Sequence, residues 1–282
     1  MTGVIKVLGL GDQVVDQYVN LAVMYPGGNA LNFAAFARKL GYEASFMGVF
    51  GDDRESRVVK AAIDAIGIDR SHCRTEHGVN GCAKVAIIDG ERVFLGSNEG
   101  GVSSEKPLDC SQADFDYIAS FRLVHMGIWG HCDHLLKDVS ALGVPVSYDF
   151  SDEFTDETLK AVDYVQYGFF SLDMPGYRVK GLLKRLFSPS NRVLVATRGS
   201  RSTIAFDGRR FYEMAPRVVK AVDTMAAGDA SLTAFLLSHE IEGKGVEESL
   251  ADAQRFAAQA VQLEGSFGFG VPIQGVEGNE DA

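Results

Sequence analysis

Residues 223–229 read DTMAAGD and run directly into the apolar stretch ASLTAFLL (230–237). Small residues ahead of Gly228 leave backbone N–H groups open at the start of a helix, which is an arrangement that binds phosphate. Asp229 falls in the first turn of that helix, where the helix dipole favours its ionised form and where it could accept a proton from a hydroxyl. The alternative is an ordinary capped helix that packs closely on a sheet.

The chain before this stretch alternates between short β-rich runs and segments with helical spacing. The run VIKVL (4–8) is followed, after the glycines at 27–28, by a segment in which Phe33, Phe36 and Leu40 recur with helical spacing. Such alternation is typical of parallel βαβ units. We therefore predict an α/β fold with a mostly parallel central sheet.

A different pattern interrupts this alternation between residues 75 and 101. Two β-rich runs without helical spacing flank Asp89 and Gly90, which form a hairpin turn signal. The alternating residues from Asp16 to Tyr25 predict further strands outside the main sheet. We expect a small second sheet, formed by about 12–26 and 75–102, that covers a site as a lid.

Composition limits the classes of ligand and partner. The chain has 282 residues, of which 46% are hydrophobic, and its formal net charge is -11. This charge argues against nucleic-acid and anionic-membrane partners, and an anionic substrate must be met by local donors. The sequence shows neither a secretory signal pattern nor an 18-residue apolar run, so we expect a cytoplasmic protein. We expect the acidic residues 276–282 to form a frayed tail.

Several motifs, taken together and in this order, resemble those of the pfkB family of carbohydrate kinases, also called the ribokinase-like family. The resemblance covers nearly the whole chain, and DTMAAGD is its most specific part. It implies a three-layer α/β/α sandwich, a single kinase domain over residues 1–282, and ATP-dependent phosphorylation of a small-molecule sugar with Mg²⁺. The motifs are GD with Asp16, GGNALN (27–32), GVFGDD (48–53), TRG (197–199) and DTMAAGD (223–229).

Within the family, three further sequence motifs look most like those of the bacterial fructoselysine 6-kinases. They are GGNA (27–30), EGG (99–101) paired with IWGH (128–131), and DFSD (149–152). This narrower likeness implies transfer of the γ-phosphoryl group to the 6-hydroxyl of a fructosamine such as fructoselysine. The amino-acid part of such a substrate is then expected against Glu99, His131 or Asp152.

The resemblance also assigns roles to individual residues. Asp229 becomes the catalytic base, and the amides of Ala226, Ala227, Gly228 and Asp229 become the anion hole around the transferring phosphate. Asp16, Gly28, Asn29 and Asn32 are expected to hold sugar hydroxyls. The nucleotide-binding residues that it implies are Thr197, Gly199, Thr224, Gly228 and Ala257.

Two departures from the family pattern bear on the acceptor and on the loop. Asn29 stands where ribokinases commonly have lysine, which argues against ribose as the acceptor. Ala226 stands where the family more often has glycine, but alanine keeps the backbone N–H and adds only a methyl group.

Two further departures concern metal ions. The asparagine and glutamate pair that organises magnesium in the family is not evident in FFSLDMP (169–175), where Ser171 and Asp173 are the nearest candidates. Magnesium is then expected to be held by nucleotide phosphates and water. The serine of the family's monovalent-cation site is not evident either, so potassium activation stays open. A possible K⁺ site lies near Asp223, Met225, Ala260 and Gly265.

Alternative functions remain. The chain could phosphorylate another sugar or a nucleoside, or it could be a catalytically silent sugar-binding protein on the same fold. A dehydrogenase is disfavoured because GLGD (9–12) lacks the full dinucleotide-binding fingerprint. The histidines in HMGIWGHCDH (125–134) match no tight zinc spacing, so a hydrogen bond from His131 to the substrate is favoured over a metal site. We expect a homodimer formed through the lid.

Overall fold

The central element is an eight-stranded sheet in a computed structural model that describes residues 5–88 and 91–274. The strand order is β14-β13-β12-β11-β10-β9-β1-β4, and the six strands from β12 to β4 are parallel. The last two strands, β13 and β14, are antiparallel. The strands of this sheet are β1 (Lys6–Leu10), β4 (Glu43–Met47), β9 (Leu123–Gly127), β10 (Val146–Asp149), β11 (Tyr167–Ser171), β12 (Val193–Arg198), β13 (Arg201–Phe206) and β14 (Phe211–Met214).

Helices cover both faces of this sheet. Neighbouring residues of β1 point to opposite cores, since Val7 belongs to the apolar cluster under α1, α2, α7 and α8, whereas Leu8 belongs to the cluster under α4, α5 and α6. Strands buried on both faces are typical of parallel sheets. The predicted three-layer α/β/α arrangement is therefore confirmed. The helices are α1 (Asn29–Lys39), α2 (Arg54–Ala65), α3 (Val102–Glu105), α4 (Gln112–Ala119), α5 (Asp133–Ala141), α6 (Gly176–Leu186), α7 (Ala227–Leu236) and α8 (Val246–Ala260).

A second, five-stranded sheet lies outside the main one in the order β15-β3-β2-β7-β8. In this sheet, β2 and β7 pair in parallel, whereas β7 and β8 form an antiparallel hairpin. Four of its strands fall in the two segments that the sequence predicts, whereas β15 was not predicted. The predicted turn at Asp89 and Gly90 and the acidic tail at 276–282 lie outside the described residues. The strands are β2 (Val14–Tyr18), β3 (Val23–Gly27), β7 (Gly81–Ile88), β8 (Glu91–Ser97) and β15 (Val271–Pro272), and a separate pair is formed by β5 (Val49–Phe50) and β6 (Arg74–Thr75).

The parallel strands bring their carboxyl ends to one edge of the sheet, where ligands of α/β proteins bind. Asp12 follows β1, Asp149 ends β10, and Arg198 ends β12. The second sheet adds Asp16 on β2, and α7 adds Asp229. Among the helices of the described residues, none is both long and apolar enough to cross a membrane.

Close packing of β1 on α1 fixes this edge, and it makes a strong prediction at Gly9. A Cβ atom at Gly9 would lie 2.0 Å from the carbonyl oxygen of Ala30, a backbone atom that cannot turn away. We expect Gly9→Ala to lower the free energy of unfolding by about 3 kcal/mol or more in urea denaturation.

The control is Gly181→Ala in α6, where a Cβ atom meets nothing within 4 Å. This control should gain about 0.5–1 kcal/mol. Wild-type stability of Gly9→Ala would contradict the packing of β1 on α1.

Candidate active site

Asp229 is held by two asparagine side chains from the first turn of α1. The Asn29 amide nitrogen donates to Asp229 Oδ1 at 2.8 Å, and the Asn32 amide nitrogen donates to Oδ2 at 2.6 Å. Burial raises the pKa of Asp229 to about 6, although both hydrogen bonds act to lower it. The carboxylate is therefore mostly ionised at neutral pH and can accept a proton. The sequence argument considered only the helix dipole and missed the opposing effect of burial.

The loop before Asp229 turns through Ala226, which adopts the left-handed conformation with φ 54°. Glycine adopts this conformation without strain, which accounts for the family's preference for glycine at this position. The Ala227 N–H donates to the Thr224 carbonyl at 3.3 Å. Among the described residues, the N–H groups of Ala226, Gly228 and Asp229 have no backbone acceptor within hydrogen-bond distance. Three of the four predicted anion-hole amides are thus available to an anion, whereas the Ala227 amide also closes the turn.

A cavity of about 1000 Å³ opens beside this loop. Its volume is at the upper end of the range for small-molecule sites. Four arginines line it although the chain is acidic overall, so the expected local donors for an anion are present. These arginines are Arg92, Arg198, Arg201 and Arg217. The structure brings all five predicted nucleotide-binding residues to its wall, namely Thr197, Gly199, Thr224, Gly228 and Ala257.

A group of carboxylates surrounds Asp229 on the α1 side. Asp16 lies on β2 and is 6% exposed, and Asp149 is half-buried at the end of β10. Burial, with a smaller contribution from the charge of Asp229, raises the pKa of Asp16 and of Asp149 to about 7. Asp12 has a structural contact instead, because its two oxygens accept the backbone N–H groups of Asn29 and Ala30 at 2.6 and 3.0 Å. Asp12 therefore caps α1.

The orientation of the Asn29 amide follows from its partners. Its nitrogen donates to Asp149 Oδ2 at 2.9 Å as well as to Asp229, and its oxygen lies 2.9 Å from His125 Nε2. Burial lowers the pKa of His125 to about 3, so the ring is neutral. Because a carboxamide oxygen only accepts, His125 carries its proton on Nε2, and Nδ1 accepts from the Ser147 hydroxyl at 2.7 Å. Both N–H bonds of Asn29 are thus used by carboxylates, and its predicted direct contact with a sugar hydroxyl stays a prediction.

Three other predicted substrate residues lie around this group. Gly28 has φ 109°, and a Cβ atom there would lie 2.7 Å from the Gln13 Cα atom, so backbone packing already requires glycine. His131 packs on Gly100, which brings the predicted EGG and IWGH segments together. Glu99 is exposed on the same loop. Contacts of Gly28, Glu99 and His131 with a substrate stay predictions.

The predicted cation site centres on Asp223, whose carboxylate already has three donors. The Met225 N–H donates to Oδ1 at 2.9 Å, and the Gly265 N–H and the Tyr18 hydroxyl donate to Oδ2 at 2.9 and 2.5 Å. The end of α8, at Ala260, is tied to this segment by the Asp223 N–H, which donates to the Val261 carbonyl. Three of about four lone pairs of this carboxylate are thus used, and a K⁺ site at Asp223 stays a prediction.

The predicted magnesium candidates fit an ion that is held mainly by nucleotide phosphates and water. Ser171 and Asp173 both line the cavity, and Asp173 forms an ion pair with Arg201. Within residues 5–88 and 91–274, no group of three or more His, Cys, Asp or Glu side chains is arranged to hold a metal ion. Magnesium readily keeps several waters and binds through substrate phosphates.

Sequence reasoning missed three residues of this site. Asp149 and His125 lie on neighbouring strands, β10 and β9, and both contact Asn29. The motifs DFSD and HMGIWGH contain these two residues but do not indicate that contact. Arg92 reaches the cavity from β8, and its guanidinium lies 3.0 Å from Met225 Sδ. The detectable signal for Asp149 was its position at the carboxyl end of a buried strand. No local pattern singled out Arg92.

Most of the chain is similar to known proteins of one family. A family model described as pfkB family carbohydrate kinase matches residues 4–270. The chain is 32% identical over 272 residues to the fructosamine kinase FrlD of Bacillus subtilis (strain 168), and the alignment covers 95% of each chain. It is 30% identical over 259 residues to the fructoselysine 6-kinase of Escherichia coli (strain K12), with 92% of this chain and 98% of the relative covered.

A solved structure has the same fold. The ribokinase of Arabidopsis thaliana, solved with ribose and ATP, superposes with a TM-score of 0.79, covers 95% of both chains and is 20% identical. Identity this low shows the fold alone.

Proposed function

The chain belongs to the pfkB family of carbohydrate kinases, and we propose that it transfers the γ-phosphoryl group of ATP to the 6-hydroxyl of a fructosamine such as fructoselysine. One observation carries the proposal. Asp229, fixed by Asn29 and Asn32, lies between a cavity lined by arginines and a group of carboxylates. The acceptor class is supported by the two relatives named as fructosamine and fructoselysine kinases.

In the proposed reaction the acceptor oxygen attacks the γ-phosphorus of ATP. A new P–O bond forms to the sugar, the bond to the β-bridging oxygen breaks, and ADP leaves with that electron pair. The hydroxyl proton passes to Asp229. Because this transition state is loose, positioning and charge stabilisation matter more than base strength. A carboxylate with a pKa of about 6 is therefore sufficient.

The charge of the transferring group would be met from two sides. The open amides of Ala226, Gly228 and Asp229 lie at the positive end of α7. Arg92 reaches the same cavity from the second sheet, and we propose that it stabilises the transferring phosphoryl group. Thr197, Gly199 and Ala257 would border the nucleotide.

Magnesium supplies further charge neutralisation when it is bound with the nucleotide. Ser171 and Asp173 are the protein groups that would lie nearest to it. The K⁺ prediction is not used in this mechanism, because Asp223 is already engaged by three donors.

On the acceptor side, Asp16 and Asn32 would contact sugar hydroxyls. Asp16 and Asn32 are 6% and 4% exposed, and both belong to the group around Asp229. The amino-acid part would extend toward His131, which packs on Gly100, and Glu99 beside it, or toward Asp152 at the cavity wall.

We also propose that the second sheet acts as a lid and forms a homodimer interface. Its edge strand, β8, exposes the consecutive apolar side chains of Val93, Phe94 and Leu95. An exposed apolar edge strand is a liability unless another chain covers it. A monomeric mass in sedimentation equilibrium would contradict this interface.

The function is tested by phosphoryl transfer from Mg-ATP to a panel of acceptors. The panel contains fructoselysine, another fructosamine, fructose, ribose and adenosine, and Asp229→Asn serves as the blank. We expect the highest kcat/KM with the fructosamines. A preference for ribose or adenosine would overturn the acceptor and keep the kinase, whereas acceptor binding without turnover would favour a silent sugar-binding protein.

A further inference from the structure

Asp149 is a carboxylate of the acceptor site that phosphoryl transfer itself does not require. It shares the Asn29 amide nitrogen with Asp229, at 2.9 and 2.8 Å, so the two carboxylates are neighbours. Its other oxygen accepts the Ser151 N–H at 2.9 Å. Each oxygen thus has one donor and keeps a free lone pair. Asp149 is half-buried.

The charges around Asp149 do not balance within the site. The carboxylates of Asp16 and Asp149 both lie near that of Asp229. The charge of Asp12 acts on all three. His125 contributes no charge, because burial keeps it neutral. Arg92 lowers the pKa of Asp16 and of Asp229, but it is exposed and lies on the cavity side. Like charges gathered in a cleft favour a ligand that brings a positive charge.

Asn32 gives an independent sign that a ligand with a donor group belongs here. Its amide nitrogen is bonded to Asp229, but its Oδ1 atom is buried and has no hydrogen-bond partner among the described residues. The side chain is 4% exposed. A buried acceptor without a partner is costly, so a donor from the ligand would satisfy it.

We propose that Asp149 binds the protonated secondary amine of the acceptor, the group that distinguishes a fructosamine from a plain ketose. This inference rests on the proposed function and adds a residue that determines its specificity. The hydroxyl to be phosphorylated lies at Asp229, and the ammonium group lies at Asp149. Asn29 holds both carboxylates, so the two recognition points keep a fixed separation. His125 and Ser147 fix Asn29 in turn.

The test compares two acceptors in two proteins. Asp149→Asn removes the charge and keeps an oxygen that can accept from Asn29. We expect the ratio of kcat/KM for fructoselysine to kcat/KM for fructose to fall by about 10- to 100-fold, the range for a hydrogen bond to a charged group. Loss of a purely structural contact would lower both values and leave the ratio unchanged, and that outcome would overturn the proposal.

Asp12→Asn is the matched control, because it removes a neighbouring charge from the helix cap. In Asp12→Asn, the ratio of the two kcat/KM values should stay within about twofold of the wild-type ratio, whatever the substitution does to stability. An equal fall of the ratio in Asp12→Asn would assign the preference to the general field of the cluster, which would overturn the role of Asp149. Circular dichroism and thermal melting show whether each variant is folded.

A second measurement compares two compounds in the wild type and in Asp149→Asn. An analogue in which the secondary amine is replaced by an amide nitrogen cannot carry the charge. The wild type should use this analogue about 10- to 100-fold less efficiently than fructoselysine, and Asp149→Asn should discriminate much less. Equal use of the two compounds by the wild type would overturn the inference while the kinase stands. Absence of any turnover with fructosamines would overturn the proposed function together with it.

Discussion

Asp229→Asn should lower kcat by about 10²- to 10⁴-fold, the range for a positioned general base. Asparagine keeps the shape of the side chain and one acceptor oxygen, so one of the two hydrogen bonds from Asn29 and Asn32 can be kept. Nucleotide binding should change little, because the cavity wall is formed by other residues. Steady-state kinetics and nucleotide titration measure the two effects separately.

The control for Asp229 is Asp138→Asn, which removes an exposed charge from α5. Its turnover should equal that of the wild type. The pH profile gives a second readout, since only ionised Asp229 accepts the proton. With a pKa of about 6, the wild-type kcat/KM should rise with pH through about 6 and then level off, and Asp229→Asn should lack the part of this rise that is due to Asp229. Unchanged turnover in Asp229→Asn would refute its assignment as the base.

Arg92→Gln should lower kcat by about 10²- to 10³-fold, comparable to the loss of one oxyanion donor. The guanidinium lines the cavity beside the loop before Asp229 and contacts Met225 of that loop. In the proposed reaction, a positive charge at this point would offset the charge that spreads over the transferring phosphoryl group. Single-turnover kinetics would locate the loss in the chemical step.

Lys84→Gln is the control for Arg92, because it removes an exposed positive charge from β7, outside the cavity lining. Only Arg92→Gln should lose turnover. Arg92→Lys should keep part of it, because lysine restores the positive charge but not the planar guanidinium group. Equal losses in Lys84→Gln and Arg92→Gln would indicate a general effect of charge on the second sheet.

The layered fold was predictable because its signals are local. Alternating strand and helix patterns indicated the parallel sheet, and the break in that pattern at residues 75–101 indicated a separate hairpin. The loop at DTMAAGD was recognisable because its small residues and Asp229 are contiguous. The strand β15 escaped prediction, since two residues paired with β3 leave no periodic pattern.

The group of residues around Asp229 was less predictable because its contacts join distant parts of the chain. Asn32 and Asp229 are separated by 197 positions, and Asn29 and Asp149 by 120. Local pattern cannot show that β9 and β10 lie next to each other with their carboxyl ends aligned under α1. The raised pKa values of Asp16 and Asp149 depend on that assembly, so the residue types alone did not indicate them.

The composition of the second sheet has a consequence during protein synthesis. Strand β3 lies between β2 and β15, and β15 is at residues 271–272, some 245 positions after β3 ends at Gly27. At typical elongation rates, the ribosome needs roughly ten to fifty seconds to make the intervening chain. During this interval one side of β3 has no strand to pair with. A nascent chain therefore presents an open strand edge to chaperones or to neighbouring nascent chains until β15 emerges and pairs with Val23 and Met24.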